Sequence, residues 1–172
     1  MTRRFIFALA LVSAVGVAYA VAAPNSSRGN TGGQVDFAGF QNLTQEVHAY
    51  RANRLVGLLQ FNAMSREPNT IILDARSASA FKQGHIEGAL NLSFTDFTAP
   101  ALAAAIKDPN TRILIYCNNN FENNVAPVVL KGVQLALNIQ TFINLYGYGY
   151  RNVYELDDVV NFNDPQVHWV RG

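Results

Sequence analysis

The sequence predicts an α/β domain with a central parallel β-sheet flanked by helices on both faces. Two short, continuously apolar runs, residues 70–74 and 112–117, have the composition of strands that are buried on both faces. Segments with apolar residues at helical intervals lie before, between and after them. Strands that alternate with helices are typical of a parallel sheet. Hydrophobic residues make up 49% of the chain, which excludes general disorder.

The first residues have the pattern of a secretory signal peptide. A short basic start (MTRR) precedes the uncharged apolar run 5–17, and small residues near 18–22 (AYAVA) provide cleavage positions. We therefore expect residues 1–22 to be a signal peptide, and the mature protein to be exported to a periplasm or the outside medium. A membrane anchor is the alternative, because the uncharged stretch continues to about Pro24.

The next segments are a leader and a helical extension. Residues 23–35 include NSSRGNTGGQ, a composition typical of a flexible leader. Apolar residues at helical spacing over 42–65 predict one or two amphipathic helices, with a break near Asn53 or Gly57. We assign residues 36–68 to an N-terminal helical extension that packs on the domain, and residues 69–172 to the domain itself.

The elements of the domain follow from local signals. Ser77 and Thr98 are residues that cap helices at the amino terminus, and Gly84 stops the first of these two helices. An irregular stretch is expected from Asn118 to about Leu137. The predicted order is strand 70–74, helix 78–82, strand 89–92, helix 99–107, strand 112–117, helix 139–145 and strand 152–156.

Cys117 is the single cysteine and lies where an apolar strand meets the polar run NNNFENN. In open α/β sheets the carboxyl ends of the strands are where ligands bind. A cysteine without a disulfide partner in an exported protein is either buried and inert or free and reactive, and its position favours a reactive thiol. Backbone N–H groups of the loop can form an anion nest, which predicts a lowered pKa for Cys117.

The charge of the chain and the spacing of its possible metal ligands exclude several kinds of partner. The chain has 13 Lys and Arg against 12 Asp and Glu, and removing Arg3 and Arg4 leaves 11 against 12. With no basic stripe, we expect no nucleic-acid partner. His48, His85 and His168 are far apart, and one cysteine cannot build a thiolate site, so we expect neither a metal nor another cofactor. After signal cleavage no membrane partner is expected, and the oligomeric state stays open.

Three segments together resemble rhodanese-like domains. The run LDARS at 73–77, followed by Ala80-Phe81 and GHIEGALN at 84–91, resembles the opening signature of that family. Residues 113–117 resemble its active-site strand, and GYRNVYEL at 149–156 resembles its closing strand. The resemblance implies a single rhodanese-like domain in which Cys117 is the catalytic nucleophile. Cys117 would carry sulfur as a persulfide, from thiosulfate or a related donor to a thiol or cyanide.

The same resemblance assigns roles around Cys117. The substrate, a small sulfur-containing anion or a thiol, would be bound by the loop after the cysteine. A lysine in a segment that the family's usual loop lacks is expected to add a positive charge. Three residues of the opening signature would support the site structurally: Asp74, Arg76 and His85. The expected substrate-binding residues are Asn118, Asn119, Asn120, Phe121, Glu122, Asn123 and Lys131.

The loop departs from the family in its charges. The family's usual loop glycine and arginine are replaced by Asn120 and Glu122, and the arginine of related phosphatases is replaced by Asn123. A carboxylate at 122 would raise the thiol pKa and repel an anionic donor. An extra segment around 125–138 is predicted to fold back over the site, where Lys131 could supply the missing positive charge. A non-catalytic binding or redox-sensing module is therefore the alternative function.

Overall fold

The structure, a computed structural model, describes residues 34–172. The predicted signal peptide and residues 23–33 of the predicted leader lie outside the described residues. No helix within residues 34–172 is long and apolar enough to cross a membrane.

A five-stranded parallel sheet forms the centre of the domain, with the strand order β1-β6-β5-β2-β4. All four strand pairings in this sheet are parallel, as the alternation of strands and helices predicts. The β2–β5 pairing aligns Thr70 with Arg112 and Asp74 with Tyr116, so both strands end at the same edge. The strands are β1 (Leu55–Val56), β2 (Thr70–Asp74), β4 (Ala89–Asn91), β5 (Arg112–Tyr116) and β6 (Val153–Leu156).

Helices cover both faces of the sheet, as predicted. Alternate residues of β5 divide between two cores: Leu114 and Tyr116 belong to one cluster, whereas Ile113 and Ile115 belong to the other. Phe61 of the second helix lies in the first cluster, and Phe142 of the last helix lies in the second. The helices are α1 (Phe37–Ala52), α2 (Leu58–Ser65), α3 (Ala78–Gln83), α4 (Ala99–Ile106) and α5 (Leu137–Gly147).

The segment before β2 contains a strand that the helical pattern did not predict. Helix α1 ends at Ala52, with Asn53 as its C-cap, and α2 begins after its N-cap Gly57, which confirms a break between two helices in this segment. Between them β1 pairs with β6 at the edge of the main sheet. Two residues are too few for a periodic signal, so the sequence could not distinguish this strand from a helix–helix connection.

The predicted helix caps are present. The Ser77 hydroxyl accepts a hydrogen bond from Ala80 N–H, and the Thr98 hydroxyl accepts one from Ala101 N–H. Gly84 follows α3 at a point of close approach, because a Cβ there would lie 2.5 Å from Nε1 of Trp169. These local signals set the boundaries of α3 and α4 to within one residue of the prediction.

The C-terminal tail packs over the core instead of extending the main sheet. Strand β7 (Trp169–Val170) pairs antiparallel with β3 (His85–Ile86) in a separate two-stranded sheet. The Trp169 ring stacks on Phe162 and meets Phe121 edge-on. The tail thereby fixes both β3 and the turn that follows Cys117.

Candidate active site

Cys117 directly follows β5, at the sheet edge where the carboxyl ends of the strands meet. It caps a short 3-10 turn, Asn118–Asn120, whose Asn119 N–H donates to Sγ at 3.4 Å. The thiol is buried, with 1% of the residue exposed. Cys117 therefore lies at the strand end, as predicted, but the surrounding chain shields its thiol from solvent.

Opposing effects act on the pKa of Cys117. Burial is the largest and raises it, since a thiolate loses its hydration in the interior. The backbone N–H groups of Asn119, Asn138 and Leu137 lower it, the last two belonging to the first turn of α5. Because the net direction is upward, the expected lowering of this pKa is wrong: the nest of donors is present, but burial outweighs it.

Two buried asparagine side chains connect Cys117 to the backbone around it. The thiol donates a hydrogen bond to Oδ1 of Asn138, and Nδ2 of Asn138 donates to Oδ1 of Asn120 at 3.0 Å. Asn120 Oδ1 also accepts from Cys117 N–H at 2.9 Å. Asn120 was a predicted site residue, whereas Asn138 was placed only in the irregular stretch before a helix.

Residues 125–136, called here the cover segment, fold back over the active-site turn, as predicted for the extra segment. Asn118 Nδ2 donates to Val129 O at 2.8 Å. Asn119 makes two bonds to the backbone of Lys131, donating to its carbonyl at 2.9 Å and accepting from its N–H at 3.1 Å. These asparagines therefore hold the cover segment against the turn that contains Cys117.

The charges near Cys117 differ from those expected. The carboxylate that raises the pKa of Cys117 is Glu155 of β6, not Glu122. Glu122 is exposed and accepts a hydrogen bond from Asn161 in the tail. Glu155 is buried and forms a bidentate ion pair with Arg51 of α1 at 2.5–2.6 Å. The Lys131 side chain is exposed, and the backbone of this residue makes its contacts with the loop.

Two further loop residues contact the tail. Phe121 is fully buried and meets Tyr116 and Trp169 edge-on. Asn123 donates to Asn161 Oδ1 and accepts from Phe162 N–H. Of the seven predicted substrate-binding residues, Asn118, Asn119 and Asn120 thus contact Cys117 or the cover segment. Phe121, Glu122 and Asn123 instead contact the tail.

Asp74 and Arg76 form a buried ion pair at the end of β2, with Arg76 NH2 2.5 Å from Asp74 Oδ2. Asp74 also accepts from Arg76 N–H and from the Tyr116 hydroxyl, at 2.9 and 2.6 Å. Arg76 donates to the carbonyls of Gly84 and Pro127. The pair therefore fixes the turn after β2 and one end of the cover segment.

His85, the third residue expected to support the site structurally, contacts helix α3. Its Nδ1 lies 2.9 Å from the carbonyl of Phe81, and its ring stacks on the Phe81 ring with centroids 3.7 Å apart. The residue lies in β3, which pairs with the tail. It helps to hold α3 and β3 together.

A cavity of about 340 Å³ lies away from Cys117. Its lining includes Thr70 and Ile71 at the amino end of β2, together with Ser65 of α2 and Glu87. Cys117, by contrast, follows the carboxyl end of β5, which runs parallel to β2. Among residues 34–172, no group of three or more His, Cys, Asp or Glu is placed to hold a metal ion.

Sequence reasoning missed two residues that act on Cys117, Asn138 and Glu155, and it missed Arg51, which pairs with Glu155. For Asn138 a signal exists, because it precedes Thr141, Phe142 and Leu145 at the spacing of one helix face, and all four are buried. An amide on such a face needs an internal partner. Glu155 is a carboxylate inside an apolar strand, which likewise indicates a buried partner.

The family model described as Rhodanese-like domain matches residues 58–158, more than half of the chain. No match was found among curated proteins.

Similar solved structures include a protein from Anabaena sp., with 24% identity and a TM-score of 0.41. That match covers 55% of this chain and 65% of the Anabaena chain, less than two thirds of its length. A thiosulfate sulfurtransferase from Pseudomonas aeruginosa has 19% identity and a TM-score of 0.46, over 69% of this chain and 20% of that one. A polysulfide-sulfur transferase from Wolinella succinogenes has 15% identity and a TM-score of 0.42, over 75% and 86%.

Proposed function

The chain belongs to the rhodanese-like domain family, and we propose that it is an exported sulfurtransferase that carries sulfane sulfur on Cys117. Export is proposed from the basic start and apolar run of residues 1–22. The observation that carries the catalytic proposal is the position of Sγ. It lies past the end of β5, and the N–H groups of Asn119 and of the first turn of α5 act on it.

The proposed cycle has two sulfur transfers. The Cys117 thiolate attacks the outer sulfur of thiosulfate, the S–S bond of the donor breaks, and sulfite leaves with its electron pair. Cys117 then holds a persulfide anion, which the N–H donors around Sγ stabilise. In the second step cyanide or a thiolate attacks the outer sulfur, and thiocyanate or a new persulfide leaves. Cys117 returns as the thiolate, and no external oxidant or reductant is needed.

The charge around Sγ favours some donors over others. The nearby carboxylate of Glu155 raises the pKa of Cys117, so it also opposes the approach of a doubly charged anion. Lys131 makes its contacts with the loop through its backbone, and its side chain is exposed. We therefore propose that a persulfide of a small thiol is a better sulfur donor than thiosulfate.

Access to Cys117 requires movement of the cover segment. With 1% of the residue exposed, the thiol cannot be attacked or attack a donor in this conformation. The hydrogen bonds from Asn118 and Asn119 that hold the cover segment are neutral, and each contributes about 1 kcal/mol. Opening is therefore compatible with turnover, and we propose that it precedes sulfur transfer.

Intact-mass spectrometry of the mature protein tests the proposal. The protein is incubated with thiosulfate or with the persulfide of cysteine, which carries a single net negative charge, and then with cyanide. We expect a gain of one sulfur atom that cyanide removes, larger with the persulfide, and no gain in Cys117→Ser. The absence of any gain with either donor, or an equal gain in Cys117→Ser, would overturn it.

A redox-sensing or binding module is the second candidate, and the burial of Cys117 beneath the cover segment favours the binding role. It predicts no sulfur gain from either donor. Rapid alkylation of Cys117 by iodoacetamide without sulfur gain would favour the redox role, because that role needs an accessible thiol. Neither alkylation nor sulfur gain would favour a module that binds a partner without chemistry at Cys117.

A further inference from the structure

We propose that Asn138 is a positioning residue that holds Cys117 as a protonated thiol, and that Asn120 sets the orientation of its amide. This inference deepens the proposed function, because it concerns the step that must precede sulfur transfer, the formation of the thiolate. It rests on three contacts between buried side chains: Cys117 to Asn138, Asn138 to Asn120, and Asn120 to the backbone.

The orientation of the Asn120 amide follows from backbone groups, which cannot turn over. Its Nδ2 lies 2.7 Å from the carbonyl of Leu156 and 3.1 Å from that of Asp158, so this atom must be the donor. The opposite atom faces Cys117 N–H at 2.9 Å and must therefore be the oxygen. A turned-over Asn120 would place two carbonyl oxygens against its own oxygen.

The orientation of Asn138 follows in turn. Because Asn120 presents an oxygen, the Asn138 atom 3.0 Å from it must be Nδ2. The other end of the amide, Oδ1, then faces the Cys117 sulfur. A carbonyl oxygen can only accept, so it stabilises S–H and repels a thiolate. Both asparagines are at least 94% buried, so water cannot take the place of either amide.

Asn138 thus acts against the backbone donors at the same sulfur. Its own N–H and that of Leu137 favour the thiolate, whereas its side chain favours the thiol. The charged groups facing Cys117 are few. The 3-10 turn and the first turn of α5 contribute none, and β6 contributes Glu155, whose carboxylate is paired with Arg51 of α1. Lys131 is the ionisable residue of the cover segment, and its side chain is exposed.

The test is the pH profile of Cys117 alkylation by iodoacetamide, measured in the full mature protein. The midpoint reports the ionisation of the thiol, whereas the plateau at high pH reports access to it. We expect Asn138→Ala to lower the midpoint by about one pH unit, which is about tenfold more thiolate at neutral pH. Asn138→Asp keeps an acceptor and adds a charge, so it should raise the midpoint. Loosening of the structure alone would not produce opposite shifts at one position.

Asn120→Ala tests whether Asn120 acts through Asn138. Without the Asn120 oxygen the Asn138 amide can turn over and donate to sulfur, so the midpoint should fall although residue 120 does not contact Sγ. In the Asn138→Ala background, the second substitution should add little. Asn144→Ala is the matched control, because Asn144 lies on the same helix and donates to Gln140 O. Its midpoint should equal that of the wild type.

A measurement on the unmodified protein covers the case in which a variant does not fold. Since the chain has one cysteine, its infrared S–H stretch is a single band. A thiol that donates to an amide oxygen absorbs at lower frequency than a free thiol, and the band should persist above the pH at which an exposed cysteine ionises. A free-thiol frequency, or Asn138 variants that move only the alkylation plateau, would overturn the inference. None of these readouts requires sulfur transfer, so the inference and the proposed function can fail separately.

Discussion

Two buried clusters of side chains lie at the carboxyl edge of the same sheet. One is held by an ion pair, and the other is made of neutral groups. The first, at the end of β2, contains a full ion pair, Asp74 with Arg76, and the Tyr116 hydroxyl. The second, at the end of β5, contains a thiol and two neutral amides, those of Asn120 and Asn138. Both are buried, so the difference lies in charge and not in exposure.

The difference indicates that the first cluster holds the structure together as a frame, and it fits the second cluster to the proposed sulfur transfer. Opening the ion pair would leave a charge buried without a partner, which costs about 3–5 kcal/mol. Each neutral hydrogen bond around Cys117 contributes about 1 kcal/mol, so the second cluster can rearrange while the first stays intact. Arg76 joins the two, because it donates to Pro127 at one end of the cover segment. A closed thiol site can then open without unfolding the turn after β2.

The largest effect is expected at Arg76. Arg76→Met keeps much of the side-chain bulk but leaves the Asp74 carboxylate buried without its partner, which should destabilise the protein by about 3–5 kcal/mol. Denaturant unfolding measures this loss. The control is Glu67→Gln, which breaks the exposed pair with Arg112 and should cost less than about 1 kcal/mol.

A second substitution distinguishes a lost charge partner from lost packing. The double variant Asp74→Asn, Arg76→Met removes both charges and should be more stable than Arg76→Met alone. If the double variant is the less stable of the two, the charge of Asp74 is not what makes Arg76 necessary.

An intermediate effect is expected at Tyr116. Its hydroxyl donates to Asp74 at 2.6 Å and accepts from Ile86 N–H at 3.1 Å. Tyr116→Phe leaves both groups without that partner, and since one is a carboxylate the loss should be about 2 kcal/mol in denaturant unfolding. Tyr148→Phe is the control, because its half-exposed hydroxyl donates only to the Phe97 carbonyl. Equal losses in the two variants would show that the ion-pair cluster does not depend on Tyr116.

The frame could be predicted from sequence because its signals are local. The caps at Ser77 and Thr98 lie beside the helices they begin, and Asp74 and Arg76 are two residues apart. The apolar run that forms β5 also ends where the polar loop begins. Short-range spacing was therefore sufficient for strands β2, β4, β5 and β6 and for the position of Cys117 at the end of β5.

The chemistry at Cys117 could not be predicted in the same way, because it depends on distant segments. Asn138 lies 21 residues along the chain, beyond the cover segment, and Glu155 lies on another strand. The pKa of Cys117 depends on how completely residues 118–138 exclude water, which spacing does not report. The nest of N–H donors was foreseeable from the loop, whereas the burial that outweighs it was not.

At Asn119 we expect a smaller effect on stability than at Tyr116, together with a larger effect on the access of reagents to Cys117. Asn119→Ala removes both bonds to the Lys131 backbone; because both are exposed to water, their combined loss should cost only about 1 kcal/mol of stability. The same change loosens the cover segment and should raise the high-pH plateau of Cys117 alkylation about fivefold, the factor that about 1 kcal/mol represents in an opening equilibrium. Asn62→Ala, which loses a bond to Gln166 in the tail, is the control and should leave that plateau unchanged. A plateau that Asn119→Ala does not move would mean that the cover segment is held by other contacts.

The smallest effect is the dependence of stability on pH through Cys117. Burial raises the pKa of the folded thiol above its unfolded value, so the unfolded chain loses its proton first as the pH rises. The stability that the thiol contributes is thus fully present below the unfolded pKa and is lost above it. Relative to Cys117→Ala, the wild type should lose at most about 0.8 kcal/mol between pH 7 and pH 9. Denaturant unfolding of the two proteins is measured at both pH values. The cavity left by Ala lowers stability equally at both, so it does not contribute to the change with pH. If the wild type instead gains stability relative to Cys117→Ala between pH 7 and pH 9, the N–H donors outweigh burial. The hydrogen bonds around Cys117 would then stabilise the thiolate and not the thiol.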